Sequence, residues 1–248
     1  MELVKYAVAD AVATITLDSP HNRNALSRQL VGELIEALQS AQDDAQVRVV
    51  VLAADGPAFC AGADLKEAGA GSGGVGGLIE VQRLILTLAV PVVLRLHAPV
   101  RAGGLGLVGA ADIVVAARSV TFAFTEARLA LAPAIISLTT LPRMTSRAAA
   151  YTFLSGASFD ADAAQAYGLV TSTVDDGWLD IEVARVVGEL STADPQGLRE
   201  TKKLLNADMV AGIDDCGDEM AALSAELFGS ESAQAAMKRF LESRARRT

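Results

Sequence analysis

The chain has 248 residues, enough for one large domain with a substantial core or for a main domain with a small helical appendage, and the second arrangement is expected. Its formal net charge of −9 excludes a surface built to hold nucleic acid, which needs a surplus of Lys and Arg, and offers no overall steering of an anionic ligand. With 51% hydrophobic but only 4% aromatic residues, the core volume lies in Ala, Val, Leu and Gly, which suits closely packed strand and helix layers. No apolar run reaches the roughly 18 to 20 residues of a membrane span. The first ten residues carry neither the basic start nor the apolar segment of a signal peptide, so the expected compartment is the cytoplasm. Cys60 and Cys216 are too few for a disulfide framework and lack zinc-ligand spacing, and both are read as reduced.

In chain order, Val8, Val12, Ile15 and Leu17 alternate with smaller or polar residues around Asp10-Ala11, which predicts a hairpin. Leu30, Leu34, Leu38 and Ala41 recur at helical spacing behind Ser27, a suitable N-cap. Val47 to Leu52 reads as a buried strand that empties into the loop Asp55 to Asp64. The plan then repeats. Pro91 to Leu96 is a strand, it runs through His97 to Arg101 into Ala102-Gly103-Gly104-Leu105-Gly106-Leu107, and a small-residue helix precedes the strand Asp112 to Ala116. Between the copies, the glycine-rich stretch 68–77 is expected to be mobile or ordered by ligand. Beyond Thr171 the sequence reads as an all-helical tail with amphipathic stretches near 178–192, 195–207, 214–228 and 230–246. The expected division is an α/β core over 1–190 and a helical region over 191–248.

Two loops place small residues where a strand turns into a helix, and there the first N–H groups lack intrahelical partners. Facing one another, they could hold an oxyanion; taken singly, each is also what a tight turn requires. Glu126 is a lone acid in a β-like apolar segment, Val120 to Glu126, where partial burial would raise its pKa toward a useful acid/base range. A structural pair with Arg128 or plain solvent exposure is the alternative. His21 and His97 accompany no nucleophile motif, and Cys60 reads as a buried filler. Neither a P-loop nor a G-x-G-x-x-G spacing occurs, so no redox cofactor is indicated.

Asn22-Arg23-Asn24-Ala25-Leu26, the run Ala58 to Leu65, Ala102 to Leu107 ahead of Asp112-Ile113, and Phe122 to Glu126 together resemble the crotonase (enoyl-CoA hydratase/isomerase) superfamily. Phe159-Asp160-Ala161, Ala166 to Val170, Pro195 to Lys203 and Phe240 to Arg244 extend the resemblance nearly end to end. It implies an α/β spiral of β-β-α repeats with a C-terminal helical region that builds homotrimers, often paired into hexamers. It also implies an acyl-CoA thioester as partner, with coenzyme A belonging to the substrate and no separate cofactor. Carried over by position, Ala63 and Gly103 would supply the N–H donors of an oxyanion hole, and Glu126 would be a catalytic carboxylate. Asn24, Ala25, Leu26, Ala61, Gly62, Asp64, Leu65, Gly104, Gly106 and Arg128 would line the substrate.

One position departs from that pattern. The hydratases of the superfamily carry their first catalytic glutamate three residues after the oxyanion glycine, where this chain has Gly106. Isomerisation of a 3-enoyl to a 2-enoyl thioester needs only one base, whereas hydration divides naturally between two carboxylates. Against this, Gly103 to Val108 and Phe124 to Ser137 resemble a narrower group, the methylglutaconyl-CoA and carboxygeranoyl-CoA hydratases of leucine and isoprenoid breakdown. Hydration of a 2-enoyl-CoA is therefore read first, with isomerisation and non-catalytic acyl-CoA binding as alternatives. A distal substrate carboxylate would pair with Arg101, Arg128 or Arg143.

Overall fold

Asp10 and Ala11, both left-handed with φ of 49° and 62°, turn β1 (Val4–Ala9) back on β2 (Val12–Leu17), with Ala9 opposite Val12. The computed structural model describes residues 2–68 and 75–245. On β2, Ala13, Ile15 and Leu17 alternate into the core and are fully buried. Val8 departs from the expected alternation and is 41% exposed, because β1 is the sheet's edge and is covered only at Val4.

Ser27 caps α1 (Arg28–Asp43) by accepting the Leu30 N–H at 3.2 Å, and the predicted stripe Leu30, Leu34, Leu38 and Ala41 is buried. The chain continues through β3 (Val49–Ala54), α2 (Leu65–Ala68), α3 (Val75–Thr87), β4 (Val92–Leu96), β5 (Val100–Arg101), α4 (Gly104–Ala110), β6 (Ile113–Ala117) and β7 (Thr121–Ala123). It then forms α5 (Ala134–Thr140), α6 (Ser146–Ser155), β8 (Phe159–Asp160), α7 (Ala161–Tyr167), β9 (Ser172–Val174), α8 (Leu179–Thr192), α9 (Pro195–Gly229) and α10 (Glu231–Ala245).

The main sheet has the order β1-β2-β3-β4-β6-β9 and is parallel from β2 onward. A second layer is built from short pieces: β5-β7-β8, together with the parallel bridges Cys60–Val100 and Leu26–Ala63. From β2 to β6, each circuit of the chain lays one strand in the main sheet, a short extended piece in the second layer, and a helix outside. This is the expected spiral of β-β-α units. Buried Phe122, Phe124 and Phe159 fill the seam below the second layer, with ring centroids 5.6 Å apart for Phe122–Phe159 and 6.2 Å for Phe124–Phe159.

Three expectations need correction. Residues 75–77 of the glycine-rich stretch belong to α3, where Gly77 lies against Val31, while residues 69–74 fall outside the described residues. The tail is not wholly helical, because β9 joins the main sheet after Thr171. The helices expected over 195–207 and 214–228 are one continuous α9, which crosses 208–213 because Met209 and Ile213 are buried there, with Gly212 tolerated within it. α9 is fastened to the core by a buried cluster. Lys202 Nζ lies 2.7 Å from Asp112 Oδ2 and donates to the Val90 carbonyl, while Asn206 Nδ2 donates to Asp112 Oδ1 and to the Leu86 carbonyl. Burial pulls the Lys202 pKa down, and the Asp112 carboxylate partly opposes it.

Candidate functional site

The first loop is held from beneath by Asn24. Its side chain is fully buried: Oδ1 accepts the Ser19 N–H at 2.7 Å, and Nδ2 donates to the carbonyls of Asp55 and Ala58 at 2.8 and 2.9 Å. Asn24 therefore shapes the loop, and its amide is fully engaged. Leu26 N–H donates to the Gly62 carbonyl at 2.8 Å and Asp64 N–H reaches back to the Leu26 carbonyl at 3.5 Å. In a parallel bridge of this kind, the residue between those two partners turns its own N–H the other way. That residue is Ala63. Ala25 and Leu26 are buried beside it, Ala61 and Leu65 are half-buried, and Asp64 accepts from Asn22 Nδ2.

The second loop is anchored to the first and to β7. Arg101 N–H donates to the Cys60 carbonyl at 2.9 Å, and Ala102 N–H donates to the Ala123 carbonyl at 3.0 Å. A Cβ on Gly103 would lie 3.7 Å from the Ala63 nitrogen, and one on Gly62 would lie 3.5 Å from the Gly103 nitrogen. The two loops are thus in contact at the two expected donors. Among the described residues, neither the Ala63 nor the Gly103 N–H has a hydrogen-bond acceptor. Gly104 is needed because a Cβ there would meet Cys60 Cβ at 2.7 Å. The Cys60 thiol is fully buried, accepts the Gly62 N–H, and is pushed up to about 12 by burial, so it stays protonated.

Glu126 is not carried on a strand as expected. β7 ends at Ala123, and Glu126 opens a 3-10 turn over Glu126–Leu129, closed by Ala130 at φ 56° with the Leu131 N–H on the Glu126 carbonyl at 3.0 Å. The apolar run Val120 to Glu126 read as β-like throughout, but pairing with β8 stops at Phe122 and with β5 at Ala123. Glu126 is 9% exposed, burial pushes its carboxyl up to about 7, and Oε2 is buried without a partner among the described residues. An acid in that state can give or take a proton near neutral pH. α10 packs on this turn, and a cavity of about 230 Å³ opens between Leu65 and a face of α10 formed by Gln234, Met237, Lys238, Leu241 and Glu242.

A family profile described as Enoyl-CoA hydratase/isomerase matches residues 7–247. The chain belongs to the enoyl-CoA hydratase/isomerase family. Among solved structures similar to it is an enoyl-CoA hydratase from Mycobacterium avium, 43% identical, with a TM-score of 0.92 over 98% of this chain and 97% of that one. An enoyl-CoA hydratase from Mycobacterium smegmatis is 30% identical, with a TM-score of 0.81 over 98% and 97% of the two chains. A 1,2-epoxyphenylacetyl-CoA isomerase of Escherichia coli is 29% identical over 84% of this chain and 83% of that protein. The fold is accordingly that of the crotonases, and the chain is an enzyme of this family.

Within that family setting, the remaining expected residues fall into place unevenly. Gly106 is buried under Ile136 and Gln82. Of the arginines named for a distal carboxylate, Arg143 donates to the carbonyls of Gly109 and Ala111 and to Asn206, and Arg101 donates to Val100 and Thr121. Both are occupied in bracing the core. Arg128 is exposed and folds over Gly156 with Nε on the Ser155 carbonyl at 3.0 Å, leaving its terminal nitrogens without a partner among the described residues. His97 Nε2 meets the Gly56 carbonyl at 2.9 Å beside the first loop. Gln82 is the residue that sequence reasoning missed. Its one signal was a polar side chain on the α3 stripe otherwise formed by Leu78, Val81 and Ile85.

Proposed function

We propose that the enzyme adds water to a 2-enoyl-CoA thioester, with Glu126 as its acid/base and the Ala63 and Gly103 N–H groups receiving the thioester oxygen. The observation that carries this reading is the buried Glu126 carboxyl, raised to about 7 with one oxygen unpartnered, on a turn three residues beyond the strand pair that holds the second donor loop. As electrons move from the β-carbon toward the thioester, the oxygen gains charge, and each backbone donor aimed at it lowers the barrier by roughly 3 kcal/mol. One carboxyl can serve the whole addition. Its protonated oxygen delivers H⁺ to C2 while the other oxygen takes H⁺ from the water that bonds to C3, so Glu126 ends in the state in which it began. The names carried by the Mycobacterium relatives support the same direction.

A second reading is favoured by the filled space at Gly106, which leaves one carboxyl where hydration would profit from two. In it, ionised Glu126 takes a proton from C2 of a 3-enoyl-CoA and returns it to C4. The distinguishing assay uses crotonyl-CoA, 3-methylglutaconyl-CoA and a 3-enoyl-CoA: loss of conjugated-thioester absorbance reports hydration, a gain reports isomerisation. Glu126→Gln is expected to keep acyl-CoA affinity within about tenfold and to lose about 100-fold or more in turnover. Unchanged turnover overturns both readings. Turnover of the methylglutaconyl thioester alone would extend the reading to a substrate with a distal carboxylate and to Arg128 as its partner. We also propose a homotrimer, singly or as paired trimers, supported by the exposed Leu154, Leu204 and Leu205 on α6 and α9; light scattering of the purified protein tests it.

A further inference from the structure

Gly106 sits in the first turn of α4, and the space into which a side chain would grow is already full. A Cβ there would stand 2.9 Å from Ile136 Cγ2 on α5, and 3.1 and 3.2 Å from Oε1 and Cδ of Gln82 on α3. Ile136 and Gln82 are 2% and 0% exposed, so neither has open space to retreat into. Gln82 is also tied in place. Its Oε1 accepts the Thr139 hydroxyl at 2.6 Å and its Nε2 donates to the Leu78 carbonyl at 3.3 Å, while Thr139 Oγ1 also lies 3.2 Å from the Gly106 carbonyl. Amide, hydroxyl and carbonyl form one buried cluster joining three helices, and moving any member strands the others without partners. A leucine at 82 would fill a similar volume with no such demand. The amide therefore does something the apolar stripe of α3 does not need.

We infer that Gln82 is a specificity-determining residue: with Ile136 it makes position 106 fit glycine alone and so keeps a second acid/base carboxyl from standing beside Glu126 at that position. This rests on the reading of Glu126 as the acid/base. Its chemical consequence is a bias in reaction type. Hydration must route both the C2 proton and the water proton through one group, whereas a C2-to-C4 proton shift loses nothing by having a single carboxyl. Gln82 and Ile136 thus decide whether a second carboxyl at position 106 can be accommodated, and with it whether hydration could gain on double-bond migration.

The test places Gly106→Glu in the native chain and in a relieved background, Gln82→Ala with Ile136→Leu, where leucine keeps the volume but lacks the branching methyl. In the native chain, Gly106→Glu is expected to lower the thermal midpoint by more than about 4 °C. In the relieved background it is expected to shift the midpoint less, and to raise the ratio of crotonyl-CoA hydration to 3-enoyl-CoA isomerisation by about tenfold or more. An unchanged midpoint in the native chain, or an unchanged ratio in the folded relieved variant, overturns the inference. Should the relieved background not fold, Gly106→Ala is compared in the native chain and in Gln82→Ala: a smaller loss in the latter supports the clash, and equal losses refute it. If the native chain turns over neither thioester, the catalytic reading fails, and the midpoints still decide whether Gln82 excludes a side chain at 106.

Discussion

Gly62 and Ala102 meet across the two loops so closely that a Cβ on Gly62 would stand 2.7 Å from that of Ala102 and 3.2 Å from the Arg101 carbonyl oxygen. Gly62 also has φ +90°, a conformation costly for any other residue. Gly62→Ala must push the loops apart, and with them the Ala63 and Gly103 nitrogens. The expected result is a fall in kcat of about 100-fold with a smaller change in acyl-CoA affinity, because the donors matter most once charge has developed on the oxygen. Steady-state kinetics beside calorimetric acyl-CoA binding checks it.

The two readings of Glu126 differ in the form of the carboxyl that begins the reaction, and its value of about 7 makes the difference measurable. Hydration through one carboxyl starts from the acid, so kcat/KM should fall as pH rises through about 7. Isomerisation starts from the carboxylate, so its rate should fall as pH drops through the same value. Profiles with a 2-enoyl and a 3-enoyl thioester should slope in opposite directions.

Burial of the same group links stability to pH. Its folded value of about 7 lies above the ordinary glutamate value of 4.5, so between these the native chain holds a proton that the unfolded chain releases. Stability contributed here is greatest below 4.5, falls as pH rises across that window, and above it the buried charge costs roughly 3 kcal/mol. Glu126→Gln should accordingly raise the thermal midpoint at about pH 8 and give little gain at about pH 4.5. An equal gain at both would show that burial of the charge is not the cause.

Asp112 accepts from Lys202 and Asn206 inside the core, and the Lys202 and Asp112 side chains are 5% and 14% exposed. Asp112→Ala leaves Lys202 and neighbouring Arg143 without their shared anion, at an expected cost of about 3 to 5 kcal/mol in urea unfolding. Replacing both members, Asp112→Leu with Lys202→Met, should recover most of that loss, since no stranded charge remains.

Cys60 is fully buried with its thiol pushed up to about 12. Iodoacetamide should therefore spare it in the folded enzyme and reach it only on unfolding, with Cys216 the sole site of native labelling. Peptide mass spectrometry before and after denaturation reads this directly.

The parts of the fold legible in the sequence were those set by local chemistry. Ser27 announces α1 because its side-chain oxygen caps the N–H groups of the very next turn, and the Asp10-Ala11 turn and both small-residue loops declare themselves by residues that tolerate tight backbone. What escaped depended on partners far along the chain. Glu126 looked strand-borne because the run Val120 to Glu126 is apolar and β-like; its turn is closed by Ala130 after pairing with β5 ends at Ala123. α9 was expected as two helices, but it runs on through 208–213 because Met209 and Ile213 in that gap are buried against the core. Gln82 matters only because Gly106 lies against it, a contact no spacing rule reveals.

The fastening of α9 orders events during synthesis. Asp112 leaves the ribosome long before Lys202 and Asn206, and until they emerge the carboxylate and the carbonyls of Leu86 and Val90 lack the donors they meet in the finished enzyme. A chain stopped ahead of α9 is expected to be less stable and more open to proteases, because Asp112 and the Leu86 and Val90 carbonyls lose these donors.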